Sequence, residues 1–249
     1  MRILSLAPSN TEILFALGQE DNIIGVTAFC DYPKEARDKE RIGAWINTEP
    51  EKIKALKPDY IFTSYFIPPP LRGWKGPGKL VHVAPKTLSD VFQSILHIGS
   101  VVKAKKRAES IVSNMKTSFA QIEKNRPKKK LRVYMEEWFE PPMASGNWVP
   151  ELIAIAGGTE GIAKKGQPSN SFSIEELIFF DADCMIFHWC GFGKRFDKEK
   201  VKKRNGWENL RAIREDNLFV IDDSLLNRPG PRLAQGAEQI QTIPTSLQK

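Results

Sequence analysis

Residues 50–62, which read PEKIKALKPDYIF, indicate a helix, a turn and a strand in that order. A proline suits the first position of a helix, here Pro50–Leu56, and the following Pro58-Asp59 turn leads into a strand that starts at Tyr60. Residues 174–186, IEELIFFDADCMI, repeat this pattern 124 positions later. The matched pairs are Glu51 with Glu175, Ile53 with Leu177, Leu56 with Phe180, and Asp59 with Asp183.

A second repeat relates residues 12–18, EILFALG, to residues 151–157, ELIAIAG. The alternative explanation is that any two amphipathic helix–turn–strand units look alike, but the order and spacing favour two related α/β lobes. Strands are predicted at Arg2–Leu6, Ile23–Val26, Tyr60–Thr63, Leu80–Val83, Leu131–Met135, Cys184–His188 and Asn217–Ile221. Helices are predicted at Glu12–Leu17 (capped by Ser9 or Asn10), Pro50–Leu56, Trp148–Ala156, Ile174–Phe180, Trp207–Ile213 and Pro231–Ile240.

The middle of the chain, from Ser89 to Asn125, keeps a helical pattern with one glycine, Gly99, and no proline. Such a segment inside an α/β chain predicts one or two helices that join two lobes. We therefore expect an α/β fold with two Rossmann-like lobes and a long linking helix. The predicted division is an N-terminal lobe over residues 1–88, the linking helix over 89–126 and a C-terminal lobe over 127–249.

Composition excludes several classes of protein. The chain has 249 residues, of which 41% are hydrophobic, so it can build cores, and its three cysteines cannot form a disulfide scaffold. No stretch approaches the roughly 18 apolar residues of a membrane span. The net charge of +7 raises nucleic acid as a partner, but the basic residues fall in short runs without a nucleic-acid-binding motif. We expect neither nucleic-acid binding nor membrane insertion.

The first residues bear on localisation. Met1-Arg2 leads directly into the apolar run Ile3–Leu6, which reads as a buried strand and not as a secretory signal. If Met1 is the native start, we expect a cytoplasmic protein, and otherwise an extracytoplasmic one.

Two such lobes predict a binding cleft, because ligands of open α/β sheets collect outside the carboxyl ends of the strands. The segments expected there are residues 7–10, 28–33, 64–74, 136–148, 188–192 and 222–231. They contain or adjoin five of the six tryptophans, at positions 45, 74, 138, 148 and 189, together with several Phe and Tyr residues. Aromatic side chains on loops suit a flat, bulky ligand, whereas the alternative is that half of them pack inside the lobes.

Specific polar groups accompany these rings. Arg228 lies in the rigid turn 227–232, NRPGPR, where it could meet an anionic or amide-rich ligand, and Arg232 could instead hold the turn by binding carbonyl groups. Cys30 and Cys190 could face the cleft as free thiols, whereas Cys184, His188 and Cys190 lack the spacing of a zinc site. We predict no catalytic residue and no metal ligand. The alternative is a cytosolic enzyme that uses Cys30 or Cys190 as a reactive thiol on a small aromatic or cofactor-like substrate.

An ordered set of motifs carries a family resemblance: residues 2–12 (RILSLAPSNTE), 30–33 (CDYP), Pro58-Asp59, Gly157-Gly158, 190–192 (CGF), 207–210 (WENL) and 227–232. Together they resemble the cobalamin-type, class III substrate-binding proteins of ABC importers, in the helical-backbone metal-receptor superfamily. The resemblance implies a type III periplasmic-binding-protein fold, with two lobes joined by a rigid helix. It also implies a non-catalytic protein that holds a corrinoid such as cobalamin, a haem or a ferric chelate between the lobes.

The resemblance also implies which residues contact the ligand and the partner. The ligand surface corresponds to Phe29, Cys30, Asp31, Tyr32, Trp45, Tyr65, Trp74, Asn147, Trp148, Trp189, Cys190, Phe192 and Arg228. An ABC permease is the implied partner, contacted by one acidic residue on each lobe. Asp197 or Glu199 could serve in the second lobe, whereas residues 65–79 of the first contain no acid. Since members that dock to an importer usually also carry a signal peptide or lipid anchor, which is not expected here, the chain resembles a cytoplasmic branch of the family.

Overall fold

Two α/β units make up the chain in a computed structural model that describes residues 1–44 and 47–247. Unit 1 combines Met1–Pro85 with Ser89–Ser113, and unit 2 combines Lys86–Leu88 with Asn114–Lys249. Within the described ranges, no helix has both the length and the apolar character needed to cross a membrane.

Unit 1 is built on a four-stranded parallel sheet. Its strands are β1 (Ile3–Ser5), β2 (Ile23–Val26), β3 (Tyr60–Ser64) and β4 (Lys79–Val83), in the order β2-β1-β3-β4. Helices α1 (Pro8–Ala16), α2 (Pro50–Leu56) and α3 (Leu88–Val101) accompany the sheet. Leucine and isoleucine side chains from β1, α2 and β3 form a buried cluster, as the near-continuous apolar strands predict.

Unit 2 has a mixed sheet with a parallel centre. Strands β5 (Leu131–Trp138), β8 (Cys184–Phe187) and β9 (Leu218–Val220) are parallel. The short strand β6 (Met143–Ala144) runs antiparallel to the end of β5, and β7 (Gly158–Thr159) runs parallel to its start. Helix α4 (Lys105–Lys124) precedes β5 in the chain. The helices that follow it are α5 (Val149–Ile155), α6 (Ile174–Phe180), α7 (Lys198–Lys202), α8 (Arg211–Arg214) and α9 (Leu233–Leu247). The predicted α/β architecture of two parallel-sheet lobes is confirmed.

The sequence repeat corresponds to a repeated structural device. The carboxylate of Asp59 accepts a hydrogen bond from the backbone N–H of Arg2 at 2.7 Å, and its own N–H donates to the Arg2 carbonyl at 2.8 Å. Asp183 makes the same pair of bonds with Arg132, at 2.6 and 2.8 Å. We call Asp59 and Asp183 the strand-entry aspartates, because each ties the start of its own strand to the start of the neighbouring strand.

The linking segment consists of two helices, α3 and α4, with a turn at Val102–Ala104 in which Lys103 has a φ of 60°. Gly99 is required near this turn, because a Cβ atom there would lie 2.4 Å from the Cβ of Ala108. The first helix also differs from expectation. It begins at Pro8, so Ser9 and Asn10 lie inside it and do not cap it, since proline favours the first helical position.

Candidate functional site

The carboxyl ends of the four strands of unit 1 share one edge of its sheet, and three exposed rings lie on the loops there. Phe29 and Tyr32, in the loop after β2, are 56% and 44% exposed, and Tyr65, directly after β3, is 58% exposed. Tyr65 has a φ of 70°, and its N–H donates to the carbonyl of Val83 at 3.0 Å. Apolar rings held in water on a fixed backbone form a surface suited to stacking against a flat ligand.

Cys30 does not belong to this exposed surface, which corrects the expectation of an accessible thiol. Its sulfur is fully buried, 3.1 Å from the hydroxyl of Thr11 and 3.2 Å from that of Thr27. Arg41 donates to the carbonyls of Thr27 and Cys30, at 2.7 and 3.1 Å. Cys30 therefore anchors the loop that carries Phe29 and Tyr32, and it cannot reach a ligand at the surface.

Three further predicted residues of the first lobe have different placements. Trp74 is half-buried against the leucine–isoleucine cluster, and its Nε1 donates to the carbonyl of Pro77 at 3.1 Å. Asp31 is half-buried and lies in the same loop as the exposed Phe29 and Tyr32. Trp45 lies outside the described residues. Of these three, Asp31 remains a candidate contact, whereas the ring nitrogen of Trp74 is already bound.

The carboxyl edge of the unit 2 sheet gathers a second group of predicted residues. Phe192 is 42% exposed on the loop after β8, and Trp138, at the end of β5, is 45% exposed. Asn147 is half-buried with a φ of 52°, and its backbone N–H and carbonyl bond to Gln167 and Gly166 at 2.6 and 2.9 Å. These bonds fix the backbone on both sides of the Asn147 side chain.

Trp148 and Trp189 were expected as surface rings, but both are buried. The Nε1 of Trp148 donates to the carbonyl of Leu226 at 2.8 Å, and that of Trp189 donates to the carboxylate of Glu136 at 2.8 Å. A buried indole N–H needs such an acceptor, and both acceptors are remote in sequence. These two buried rings stabilise the loops from the protein interior, whereas Trp138 and Phe192 are exposed at the surface of this edge.

Glu136 is the centre of a buried ion pair beneath this edge. Arg204 donates two hydrogen bonds to its carboxylate, at 2.8 and 2.9 Å, and the Tyr134 hydroxyl donates a third at 2.7 Å. The guanidinium also lies over the rings of Phe139 and Trp207, at 4.9 and 4.4 Å. Burial raises the pKa of Glu136, and the bonds from Arg204 oppose that rise.

His188 is buried with both ring nitrogens bonded. Its Nδ1 lies 2.5 Å from the side-chain oxygen of Asn227, and its Nε2 lies 2.7 Å from the Ser145 hydroxyl. The Asn227 amide also donates to the His188 carbonyl at 3.2 Å, so the ring donates through Nδ1 and accepts at Nε2 from Ser145. Burial lowers the pKa of His188 to about 4. The neutral ring thus holds Asn227, and with it the turn that contains Arg228.

Cys190 is exposed next to this turn, in a loop that Asp223 fixes. The Asp223 carboxylate accepts from the N–H groups of Gly191 and Gly193, at 2.9 and 2.7 Å. Loss of hydration raises the pKa of the Cys190 thiol, and the carboxylates of Asp223 and Glu137 raise it further. The thiol is therefore protonated at neutral pH, which is the opposite of what a cysteine nucleophile requires.

Arg228 and Arg232 have separate roles in the turn. Arg232 donates to the hydroxyl and the carbonyl of Ser224, at 3.3 and 3.4 Å, which confirms the interpretation that it holds the turn. Arg228 is half-buried, and its charge acts on both Cys190 and Asp223. It is the cationic group of this edge among the predicted site residues.

The sequence-based list omitted Trp138, Asp223 and Asn227. Signals for them existed: Trp138 lies in the predicted cleft segment 136–148, and Asp223 and Asn227 lie in the predicted cleft segment 222–231, where Asn227 directly precedes Arg228. Across residues 1–44 and 47–247, no three His, Cys, Asp or Glu side chains are grouped so that they could hold a metal ion. The two edges thus offer exposed rings with a few amide, carboxylate and guanidinium groups, an arrangement suited to binding.

Comparisons with known proteins agree with this description. The uncharacterized ABC transporter substrate-binding lipoprotein YvrC of Bacillus subtilis is 27% identical over 252 residues, covering 96% of this chain and 78% of that protein. The vitamin B12-binding protein of Vibrio cholerae is 27% identical over 261 residues, covering 100% and 90%. The crystal structure of the periplasmic vitamin B12 binding protein BtuF of Vibrio cholerae superposes with a TM-score of 0.75 at 25% identity, covering 100% and 98%. Residues 3–225 match the periplasmic binding protein family, and the chain belongs to that family, with the predicted type III fold.

Proposed function

We propose that this protein is the substrate-binding component of an ABC importer and that its ligand is a corrinoid of the cobalamin type. Its role is binding without catalysis. Two lines of support meet here: relatives that cover 93–100% of the chain are named as vitamin B12-binding proteins, and each unit exposes aromatic rings at the carboxyl edge of its sheet.

The exposed rings are the observation that carries the proposal. Phe29, Tyr32 and Tyr65 of unit 1 and Trp138 and Phe192 of unit 2 are exposed although each could be buried at a gain of about 2 kcal/mol. A corrin ring presents broad apolar faces, so stacking recovers that energy on binding. Its rim carries amide groups, for which Asp31, Asn147 and Arg228 are suitable polar partners.

Titration of the purified protein with cyanocobalamin and with dicyanocobinamide tests the proposal. We expect a saturable shift in the visible spectrum of the corrinoid and quenching of tryptophan fluorescence by both compounds. Haemin and a ferric siderophore are titrated in parallel. If haemin or the siderophore binds saturably and neither corrinoid does, the proposed corrinoid ligand is wrong and the compound that binds takes its place. No response to any of the four compounds would refute the binding role.

Ring substitutions test where the ligand binds. Tyr65→Ala and Phe192→Ala each remove one exposed ring, and we expect each to weaken cobalamin binding about tenfold. Phe179→Ala is the matched control, because Phe179 is an exposed ring at the other end of the unit 2 sheet. Equal effects of all three substitutions would contradict the assignment.

The enzyme alternative makes a contrary prediction about Cys190. A reactive thiol would show a lowered pKa in an alkylation–pH profile, whereas the surroundings of Cys190 raise it. A profile with a midpoint well below the ordinary thiol value of about 8.5 would revive the enzyme hypothesis.

We also propose an ABC permease as the partner and a location outside the cytoplasmic membrane. Both proposals are supported by the relatives, one of which is named an ABC transporter substrate-binding lipoprotein and another a periplasmic protein. Asp197 and Glu199, exposed at the start of α7, are candidate contacts for basic residues of the permease. Charge reversal at both positions should abolish co-purification with the permease from native membranes while leaving cobalamin binding intact.

A further inference from the structure

The amino edge of the unit 2 sheet carries a concentrated positive charge that the proposed function does not use. This edge is the one at which β5 and β8 begin, opposite the candidate ligand residues. The segment directly before β5, residues 124–130, reads KNRPKKK. Its five basic residues, Lys124, Arg126, Lys128, Lys129 and Lys130, are all exposed. We call residues 124–130 the basic segment.

An exposed apolar pair lies at the same edge. Phe179 is 91% exposed and Ile178 is 42% exposed, both in the last turn of α6. Asp181, two residues after Phe179, binds the guanidinium of Arg132 at 2.6 Å, and Arg132 lies two residues after the basic segment. We call Ile178 and Phe179 the apolar pair.

A second path of contacts confirms that the apolar pair and the basic segment share this edge. Strand β7 pairs with Leu131 and Arg132 at the start of β5. Gly161, two residues beyond β7, lies so close to the ring of Phe180 that a Cβ atom there would be 2.3 Å from it. The chain at the end of α6 is therefore adjacent to the chain that leaves the basic segment.

Several acidic groups at this edge form ion pairs with arginines. Glu123 pairs with Arg126 at 3.3 Å. Asp181 pairs with Arg132 and with Arg211, at 2.6 and 3.2 Å, and Asp183 pairs with Arg211 at 2.6 Å. Glu175 and Glu176 lie in the first turn of α6, about one helical turn farther from the edge than Phe179.

We propose that this edge docks onto an anionic lipid surface. Lysines attract anionic headgroups, and an exposed aromatic and aliphatic pair inserts at the boundary of headgroups and acyl chains. Single-stranded nucleic acid also favours basic and aromatic groups, but Ile178 offers no stacking face to a base. The combination of charge with an aliphatic side chain therefore favours lipid. This inference concerns a different part of the molecule from the ligand residues and does not depend on the ligand.

Vesicle co-sedimentation of the full chain tests the proposal. Vesicles of phosphatidylcholine alone are compared with vesicles that also contain phosphatidylglycerol, at low and high salt. We expect binding only to the anionic vesicles and a loss of binding at high salt. The triple variant Lys128→Gln, Lys129→Gln, Lys130→Gln should weaken binding about 100-fold, and Ile178→Ser with Phe179→Ser should weaken it about tenfold or more.

A matched control removes three positive charges elsewhere. Lys103→Gln, Lys105→Gln, Lys106→Gln changes exposed lysines of unit 1 and should retain vesicle binding to within a few-fold. Circular dichroism and urea unfolding establish that each variant is folded. Equal binding to neutral vesicles, an equal loss in the control, or binding of a DNA oligonucleotide in place of vesicles through the same lysines would overturn the proposal. Phe179-dependent dimerisation without vesicle binding would overturn it as well.

Discussion

Replacing Arg204 by methionine should destabilise unit 2 strongly and in a pH-dependent way. Methionine retains most of the apolar stem of arginine, so the substitution removes mainly the guanidinium, with its bonds to Glu136 and its contacts with the rings of Phe139 and Trp207. The carboxylate of Glu136, which has no exposed surface, then loses the two bonds of 2.8 and 2.9 Å that compensate its burial.

The size of the loss follows from the burial of the remaining partner. Removing one member of a buried ion pair costs about 3–5 kcal/mol, because an uncompensated charge stays inside. Burial raises the pKa of folded Glu136, and this rise is larger once Arg204 is absent. The folded variant then binds a proton more tightly than the unfolded chain. Its stability therefore increases as pH falls toward the unfolded carboxyl value of about 4.3 and decreases as pH rises.

The assay is urea unfolding followed by far-ultraviolet circular dichroism at pH 5 and pH 8. Four proteins are compared: the parent, Arg204→Met, Glu136→Gln, and the double variant. We expect the Arg204→Met loss to be larger at pH 8 than at pH 5. The double variant should recover more than half of that loss, because glutamine leaves no unpaired charge buried in the interior.

Three results would contradict this prediction. The first is an Arg204→Met loss below about 1 kcal/mol at pH 8, which is the size of an exposed pair. The second is an equal loss at both pH values. The third is a double variant whose loss equals the sum of the two single losses, since that would show the two residues to be energetically independent.

Three other outcomes are expected. His188 has a folded pKa of about 4 against an unfolded value of 6.5, so the unfolded chain takes up the proton first as pH falls. About 3 kcal/mol of stability should therefore be lost between about pH 6.5 and pH 4. In urea unfolding, His188→Gln should reduce this dependence of stability on pH. Gly99→Ala should lower the free energy of unfolding by about 1–3 kcal/mol, with partial recovery on adding Ala108→Gly. In native protein, iodoacetamide should label Cys190 with a raised apparent pKa while the buried Cys30 and Cys184 react only in urea, a pattern that mass spectrometry detects.

The architecture could be predicted from sequence because its determinants are local and repeated. The helix, turn and strand at residues 50–64 depend on Pro50, the Pro58-Asp59 turn and an apolar run, and the equivalent segment reappears at 174–187. The match of Asp59 with Asp183 in sequence also predicts a shared position, and both form the same bonds at the start of a strand. The boundaries that failed, such as the start of α1, are where a single proline shifts a helix by a few residues.

The orientation of the aromatic loops could not be predicted in the same way. Trp148 and Tyr65 both lie on loops at the carboxyl edges, yet one is buried and the other is exposed. Trp148 is buried with its ring N–H bonded to the carbonyl of Leu226, 78 positions away, and Trp189 is buried with its ring N–H bonded to Glu136, 53 positions away. Such long-range hydrogen-bond partners leave no mark on the local sequence, so a ring that supports a loop looks the same as one that meets a ligand.

The strand-entry aspartates also bear on how such a protein can diversify. Asp59 and Asp183 secure each sheet at the end remote from the loops that carry Phe29, Tyr65 and Phe192. Under the proposed assignment of the ligand residues, the determinants of folding are separated in space from the determinants of ligand choice. Under that assignment, we expect substitutions in the loops to alter the bound ligand without loosening the sheets, as long as these two carboxylates are kept.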